Sequence, residues 1–184
     1  MVEQFVASFG QLDDMLAHDF DPVATQLAAG EPDEFGFKHW RPLKANSSLS
    51  DLDSIYAQLP ARFPPLYERL VLTYRWAEID LELFRFVANP PGAGFLALFQ
   101  EMSKDKHLWS CLLPAGYVRF GMGPDIDYDP VCFDLGSRKK NRDCSIVKID
   151  HEEILCNSRV KVVDELAPSF EQLVLRVVAS APRP

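Results

Sequence analysis

The sequence lacks a long apolar run. No window approaches the ~18 apolar residues that a membrane-spanning helix needs, and the amino terminus, MVEQFVASFGQLDD, has no basic stretch ahead of an apolar one, as a secretory signal would. A cytoplasmic protein with no membrane attachment is expected. Closely spaced cysteines are also missing. Cys111, Cys132, Cys144 and Cys156 stand 21, 12 and 12 residues apart, unlike the CxxC pairs of zinc ribbons or the framework of a small disulfide-stapled domain. They read as reduced thiols, mostly in the core. Bases are scarce: 19 Lys and Arg face 27 Asp and Glu, for a net charge of -8. Residues 1–55 hold ten of the acids against three bases. An acidic chain repels a phosphate backbone and speeds encounter with a basic partner, so nucleic acid is not an expected partner; the acidic bias either serves a basic protein partner or, the commoner case, only keeps the chain in solution.

Motifs that announce catalysis are absent as well. HEEIL at 151–155 has no second histidine one helical turn on, as HExxH requires. No serine sits in a G-x-S-x-G elbow. Gly92, Gly94 and Ala97 of GAGFLA spell G-x-G-x-x-A, but the second parallel strand with an acid about twenty residues on is replaced by LLPAGY. Cys144, His151 and Cys156 have spacing unlike a structural zinc site, while a Cys/His nucleophile stays open because spacing does not reveal spatial adjacency. No cofactor, catalytic residue or metal ligand is assigned.

What is present suffices for one domain with a full core and an appendage: 184 residues, 47% of them hydrophobic. Phe5, Phe9, Leu12 and Leu16 lie on one stripe, predicting a helix over about 2–18. Asp21-Pro22 starts a second, short helix that Gly30 ends. An irregular connection follows, so residues 1–50 read as an acidic helical extension and 51–184 as the main domain. Ser50 and Asp53 resemble a capping box for a short helix, and LYERLVLTY after Pro65 predicts a buried one. The period then changes to two, predicting a strand over 78–87. FLALFQEM and KHLWSCLL have helical spacing, GYVRFG reads as a strand, and PVCFDL and CSIVKID read as a hairpin over 130–150 with a long basic loop, GSRKKNRD. RVKVV adds an edge strand and 165–178 a closing helix. The class is α+β: one antiparallel or mixed sheet of about 4–6 strands, with helices packed largely on one side.

The most charged stretch is PDIDYDPVCFD. Asp125, Asp127 and Asp129 match ligand positions 1, 3 and 5 of a calcium loop, but the glycine and the bidentate glutamate that such a loop requires are replaced by Pro130 and Gly136. A solvated acidic turn leading into a strand is expected. The alternative is a metal-dependent hydrolase using Asp125, Asp127, Asp129 and His151. Asp134 alternates with Val131, Phe133 and Leu135, and is expected to face solvent or cap the hairpin loop. Arg138, Lys139, Lys140 and Arg142 form the one basic concentration, read as a solvated hairpin tip. Trp76 neighbours charge near an element end, as interface tryptophans do, though burial in the core is the commoner fate of a tryptophan.

From about residue 52 the chain resembles the SUKH superfamily, the Smi/Knr-type proteins. The resemblance rests on the order of short motifs: Leu59-Pro60 before a helix ending in Tyr74, Phe120-Gly121, PVCFD with IVKIDHEE, and LAPSFEQLV. The chain departs from that pattern at Arg75-Trp76, where a glycine-containing turn is usual, and at Gly123-Pro124-Asp125, where a Gly-Asp step is common. The resemblance implies an α+β fold and a non-enzymatic, protein-binding role: an immunity protein that neutralises a toxin of nuclease type, or a regulatory scaffold subunit. The residues taken as partner-binding are Trp76, Asp125, Asp127, Asp129, Arg138 and Lys139.

Overall fold

The computed structural model describes residues 1–9, 16–17, 22–92 and 94–181. In chain order the elements are α1 (Val2–Phe9), β1 (Leu16–Ala17), α2 (Pro22–Leu27), β2 (Lys38–His39), β3 (Leu43–Lys44), α3 (Asp53–Tyr56), α4 (Pro65–Thr73), β4 (Tyr74–Arg75), β5 (Ile79–Asp80) and β6 (Arg85–Phe86). They continue with α5 (Leu96–Met102), α6 (Lys106–Leu112), β7 (Tyr117–Met122), β8 (Pro130–Asp134), β9 (Ile146–Ile149), α7 (His151–Asn157), β10 (Val162–Ala167) and α8 (Phe170–Ser180). A six-stranded antiparallel meander in the order β10-β9-β8-β7-β6-β5 carries the fold. The class is therefore α+β, as the absence of βαβ alternation predicts. Among the described residues no helix is long and apolar enough to cross a membrane.

The sheet is covered on both faces. Val131 and Phe133 of β8 enter the main core with Val118, Phe120, Ile146 and the buried faces of α1, α4 and α8. Cys132 enters a smaller cluster on the other side, with Val147, Ile149, Leu108, Leu112 and Ile154 beneath α6 and α7. Two-sided burial leaves β8 apolar almost throughout, so an alternating, half-buried reading of that strand does not hold. Asp134, at its end, behaves as expected: its carboxylate accepts the Gly136 N–H at 2.9 Å and turns the chain into the loop.

The main core is aromatic. Tyr67 from α4 is fully buried, with the rings of Phe63, Phe86, Phe120, Phe133 and Phe170 between 5.0 and 6.0 Å away. Phe120 and Phe133 stack at 4.2 Å across β7 and β8. Gly121 lets β7 pass close to β6, since a Cβ there would lie 2.7 Å from the Arg85 carbonyl oxygen. Among the described residues the Tyr67 hydroxyl has no hydrogen-bond partner, and burial pushes its pKa up. An unpaired buried hydroxyl costs about 1–3 kcal/mol. Tyr67→Phe is therefore expected to stabilise the fold by roughly 1 kcal/mol in a chemical-denaturation series; a loss of stability would mean that the hydroxyl is paired.

Several local expectations need correction. Leu16–Ala17 is a strand paired with β2, not the end of a helix over 2–18; α1 is described over Val2–Phe9, and Leu12 and the Asp21 cap lie outside the described residues. Phe5 and Phe9 are buried as the stripe requires. The connection over 31–48 supplies β2 and β3, and β3 pairs with β4. The amino-terminal segment packs on the rest, because Phe5, Phe9, Leu27 and Trp40 belong to the main core cluster. The Tyr74 hydroxyl donates to the Glu3 carboxylate and ties α1 to β4. A 3-10 turn, Leu49–Leu52, leads into α3 and is capped two residues earlier than the sequence suggests, with the Asp51 carboxylate accepting the Ser48 N–H at 2.8 Å. Residues 78–87 form a tight hairpin of β5 and β6 rather than one strand, because Glu82 takes a left-handed φ of 64° and reverses the chain. The closing helix begins at Phe170, after the Ser169 cap; residues 162–167 remain an edge strand.

Two sequence features acquire structural explanations. Arg75 stands at the end of α4, donates to the Val71 carbonyl at 2.6 Å and lies 4.4 Å from the centroid of the Phe95 ring. The buried Asn89 amide reaches the Val71 and Tyr74 carbonyls at 3.1 and 2.7 Å. Helix-end carbonyls that a glycine turn would normally satisfy are thus capped by side chains. The GAGFLA segment opens α5, but β6 and β7 on either side of it are antiparallel neighbours, so the dinucleotide crossover does not exist here.

Candidate partner-binding site

The acidic stretch 123–129 joins β7 to β8 and is pinned at every turn. Gly123 is required by close approach: a Cβ on it would stand 2.2 Å from the Asp127 carboxyl carbon. Its N–H donates to the Asp129 carbonyl at 2.9 Å, and the Asp127 N–H to the Pro124 carbonyl at 2.9 Å. Asp125 takes a left-handed φ of 52°, a conformation aspartate tolerates. Its N–H donates to the Asp80 carboxylate at 3.0 Å, and its carbonyl accepts from the Arg85 guanidinium. These contacts fasten the loop to the β5–β6 hairpin.

The other two aspartates fasten it to β9 and α7. Asp127 accepts the Asp129 N–H at 2.9 Å and pairs with the Lys148 ammonium at 2.9 Å. Partial burial pulls the Asp127 pKa up, but the Asp129 N–H and Lys148 outweigh it and hold the carboxyl below its ordinary value of 3.8. Lys148 is raised in turn, chiefly by its hydrogen bond to Asp127. Asp129 accepts both the backbone N–H and the ring Nδ1 of His151, at 2.9 and 2.7 Å. A depressed carboxyl contributes stability that is complete above the unfolded pKa and lost as pH falls through the folded one. The melting-temperature difference between the wild type and Asp127→Asn should hence be constant above about pH 5 and shrink as pH drops below 3.8. A difference that widens on acidification would contradict this assignment.

With the loop held, its remaining side chains project. Ile126 is 86% exposed and Tyr128 62% exposed, and Asp125 is exposed beside them. Leu155 of α7, itself 53% exposed, faces Tyr128 across a pocket of about 370 Å³ whose walls also include Arg119, Met122 and His151. Sequence reasoning passed over Ile126 and Tyr128. The signal was present: two large apolar residues alternate with acids where no strand pairing buries them.

Three other predicted site residues fall elsewhere. Trp76 is fully buried; it stacks on Phe86 at 5.0 Å and donates its indole N–H to the Val87 carbonyl at 2.9 Å. A surface role for it is thereby corrected to a core one. Arg138 donates to the carbonyls of Arg62 and Arg142, and Lys139 to that of Pro168 at 2.8 Å. The basic loop is thus tied to the body through Arg138 and Lys139, while residues 139–142 remain exposed, as expected of a solvated tip. The buried Glu68 carboxylate draws in its Arg142 end, with Arg142 at 3.8 Å, Arg62 at 3.1 Å and the Tyr56 hydroxyl at 2.6 Å. The buried Asp143 carboxylate locks it, accepting N–H groups from Cys144 and from Phe170 and Glu171 of α8.

The chemical options narrow accordingly. Among the described residues no group of three His, Cys, Asp or Glu side chains is arranged to hold a metal ion. All four cysteines are free; Cys132 and Cys144 are buried, and burial pushes both thiols well above their ordinary range, Cys144 to about 12. Asp129 and His151 form a close pair in which Asp129 Oδ1 accepts from both the backbone N–H and the ring of His151 and orients the start of α7. Comparisons with protein-family models, with curated proteins and with solved structures find no match.

Proposed function

We propose that this chain is a non-enzymatic protein-binding module of the cytoplasm whose partner docks on the rim formed by residues 123–129 and α7. The observation that carries the reading is the projection of Ile126 and Tyr128 from a loop held rigid by hydrogen bonds at Asp80, Arg85, Lys148 and His151. A soluble chain gains nothing in stability from holding large apolar side chains in water, while a preordered apolar anchor lowers the ordering cost of association. The acids around the anchors favour a partner with a basic face. Together with the resemblance to SUKH proteins, this supports an immunity protein acting on a basic toxin domain of nuclease type.

The test is isothermal titration of the product of the adjacent gene into the protein and its variants. Ile126→Asp should weaken binding by about thirtyfold or more, as loss of an anchor worth about 2 kcal/mol does, without moving the melting temperature. Affinity for the wild type should fall as salt rises. Failure to bind that product or protect against it would remove the immunity reading.

A further inference from the structure

The pocket beside Tyr128 has a chemistry that the rim does not use. Arg119 lies on β7 between two core residues, yet its side chain takes the face covered by α6 and is only 6% exposed. Its Nε donates to the Met102 carbonyl at 3.0 Å and its Nη2 to the Glu101 carbonyl at 2.5 Å. One edge of the guanidinium thus closes the carboxyl end of α5. Its remaining nitrogen, Nη1, has no acceptor among the described residues, and Arg119 makes no ion pair with a carboxylate; Nη1 is not among the atoms sealed from solvent.

Arginine does not give up its proton in a protein. A full positive charge therefore stands in the wall of a pocket whose apolar part is formed by Leu108, Met122, Leu155 and the Tyr128 ring and whose polar part includes Lys104, Asp105 and His151. Carbonyls alone touch the guanidinium, and the carboxylates of Asp105, Glu101 and Glu78 act on it from beyond contact. A buried charge without a counter-charge in contact is costly. Lys104 adds a second cation at the mouth, 75% exposed and 3.8 Å from Glu101. The one carboxylate in the lining, Asp105, is taken up by the N–H groups of His107 and Leu108, both at 2.9 Å, where it caps α6.

We propose that this pocket binds a small organic carboxylate with an apolar body. The carboxylate would take the free edge of Arg119, and the apolar body would lie against Leu108, Met122, Leu155 and Tyr128. The volume of about 370 Å³ is at the lower end of the range for small-molecule sites, roughly 300–1,000 Å³, and suits a six-carbon chain or a single ring. The site shares Tyr128 and Leu155 with the proposed docking rim, but its ligand is recognised by the Arg119 wall, whereas the partner is recognised by Ile126 and the acids of the rim.

The experiment is an NMR titration of the full chain with hexanoate and 4-phenylbutyrate, each against its matching alcohol. Saturable amide shifts at Leu108, Met122 and Leu155 are expected with the acids, and binding about tenfold weaker with the alcohols, the difference made by one charge-assisted hydrogen bond. Arg119→Met should abolish the preference for the acid. Should that variant fail to fold, Leu155→Glu, at an exposed position on the pocket wall, should weaken the acids selectively. The proposal is overturned if neither acid gives saturable shifts in the pocket, if the alcohols bind as tightly, or if Leu155→Glu affects acid and alcohol alike. A protein that binds the acids but no partner would retain this inference and lose the functional reading, and the converse separates them equally well.

Discussion

Phe133→Ala is expected to cost about 4 kcal/mol, within the usual range for removing a buried phenylalanine, and to lower the melting temperature by roughly 10 °C for a chain of this size. Phe133 has no exposed surface and lies where the contributions of three elements meet: it stacks on Phe120 of β7 at 4.2 Å and meets Tyr67 of α4 at 5.0 Å and Phe170 of α8 at 5.7 Å. Those rings are held by helices and strands on every side, so the space left by truncation cannot collapse. The cost should then include a cavity contribution beyond lost burial. Phe133→Leu retains most of the volume and should cost markedly less. Denaturant unfolding measures both. A Phe133→Ala loss below about 2 kcal/mol would mean that the aromatic cluster is loosely packed.

The second large effect is at Asp143. This carboxylate is 4% exposed and accepts the Phe170 N–H at 3.0 Å, the Glu171 N–H at 3.4 Å and the Cys144 N–H at 2.9 Å. It complements Ser169, whose hydroxyl accepts the Gln172 N–H at 3.1 Å. Together they satisfy donors at the start of α8 that the helix itself cannot. Asp143→Ala leaves buried donors without acceptors and should cost about 3 kcal/mol; Asp143→Asn, which keeps one acceptor oxygen, should cost less. Hydrogen exchange should quicken at Phe170 and Glu171 in the alanine variant. It should also quicken across 138–142, because Lys139 bonds the Pro168 carbonyl beside the same helix start. Unchanged exchange at both places would show that Asp143 does not join the loop to α8.

How far the sequence revealed this architecture depended on how local each cause was. The β8–β9 hairpin was legible because two apolar runs flank one basic, glycine-started loop. The stripe through Phe5 and Phe9 and the apolar face of α8 were legible for the same reason: their periodicity is set within one element. The split of 78–87 into two short strands was hidden, because it depends on Glu82 adopting a left-handed conformation that its side chain does not advertise. Trp76 and Arg138 were misplaced since the neighbours that hold them, Phe86 and the Arg62 carbonyl, come from distant segments. The acidic stretch was found but its division of labour was not. Asp127 and Asp129 serve to position Tyr128 and Ile126, a role visible only once Lys148 and His151 are seen beside them. Alternation alone places Arg119, between the core residues Val118 and Phe120, on the solvent side of β7; it is buried because helices cover that face as well, which the strand's own sequence does not show.

The central claim is that the rim at 123–129 and α7 is where a protein partner docks. It is tested most directly by hydrogen exchange of the free protein and of its complex with the product of the adjacent gene. The account predicts slowed exchange over residues 123–129 and the first turns of α7, with the basic loop at 138–142 and the outer edge of β10 unaffected. Protection on β10 or the basic loop, with the rim exchanging as it does in the free protein, would contradict it.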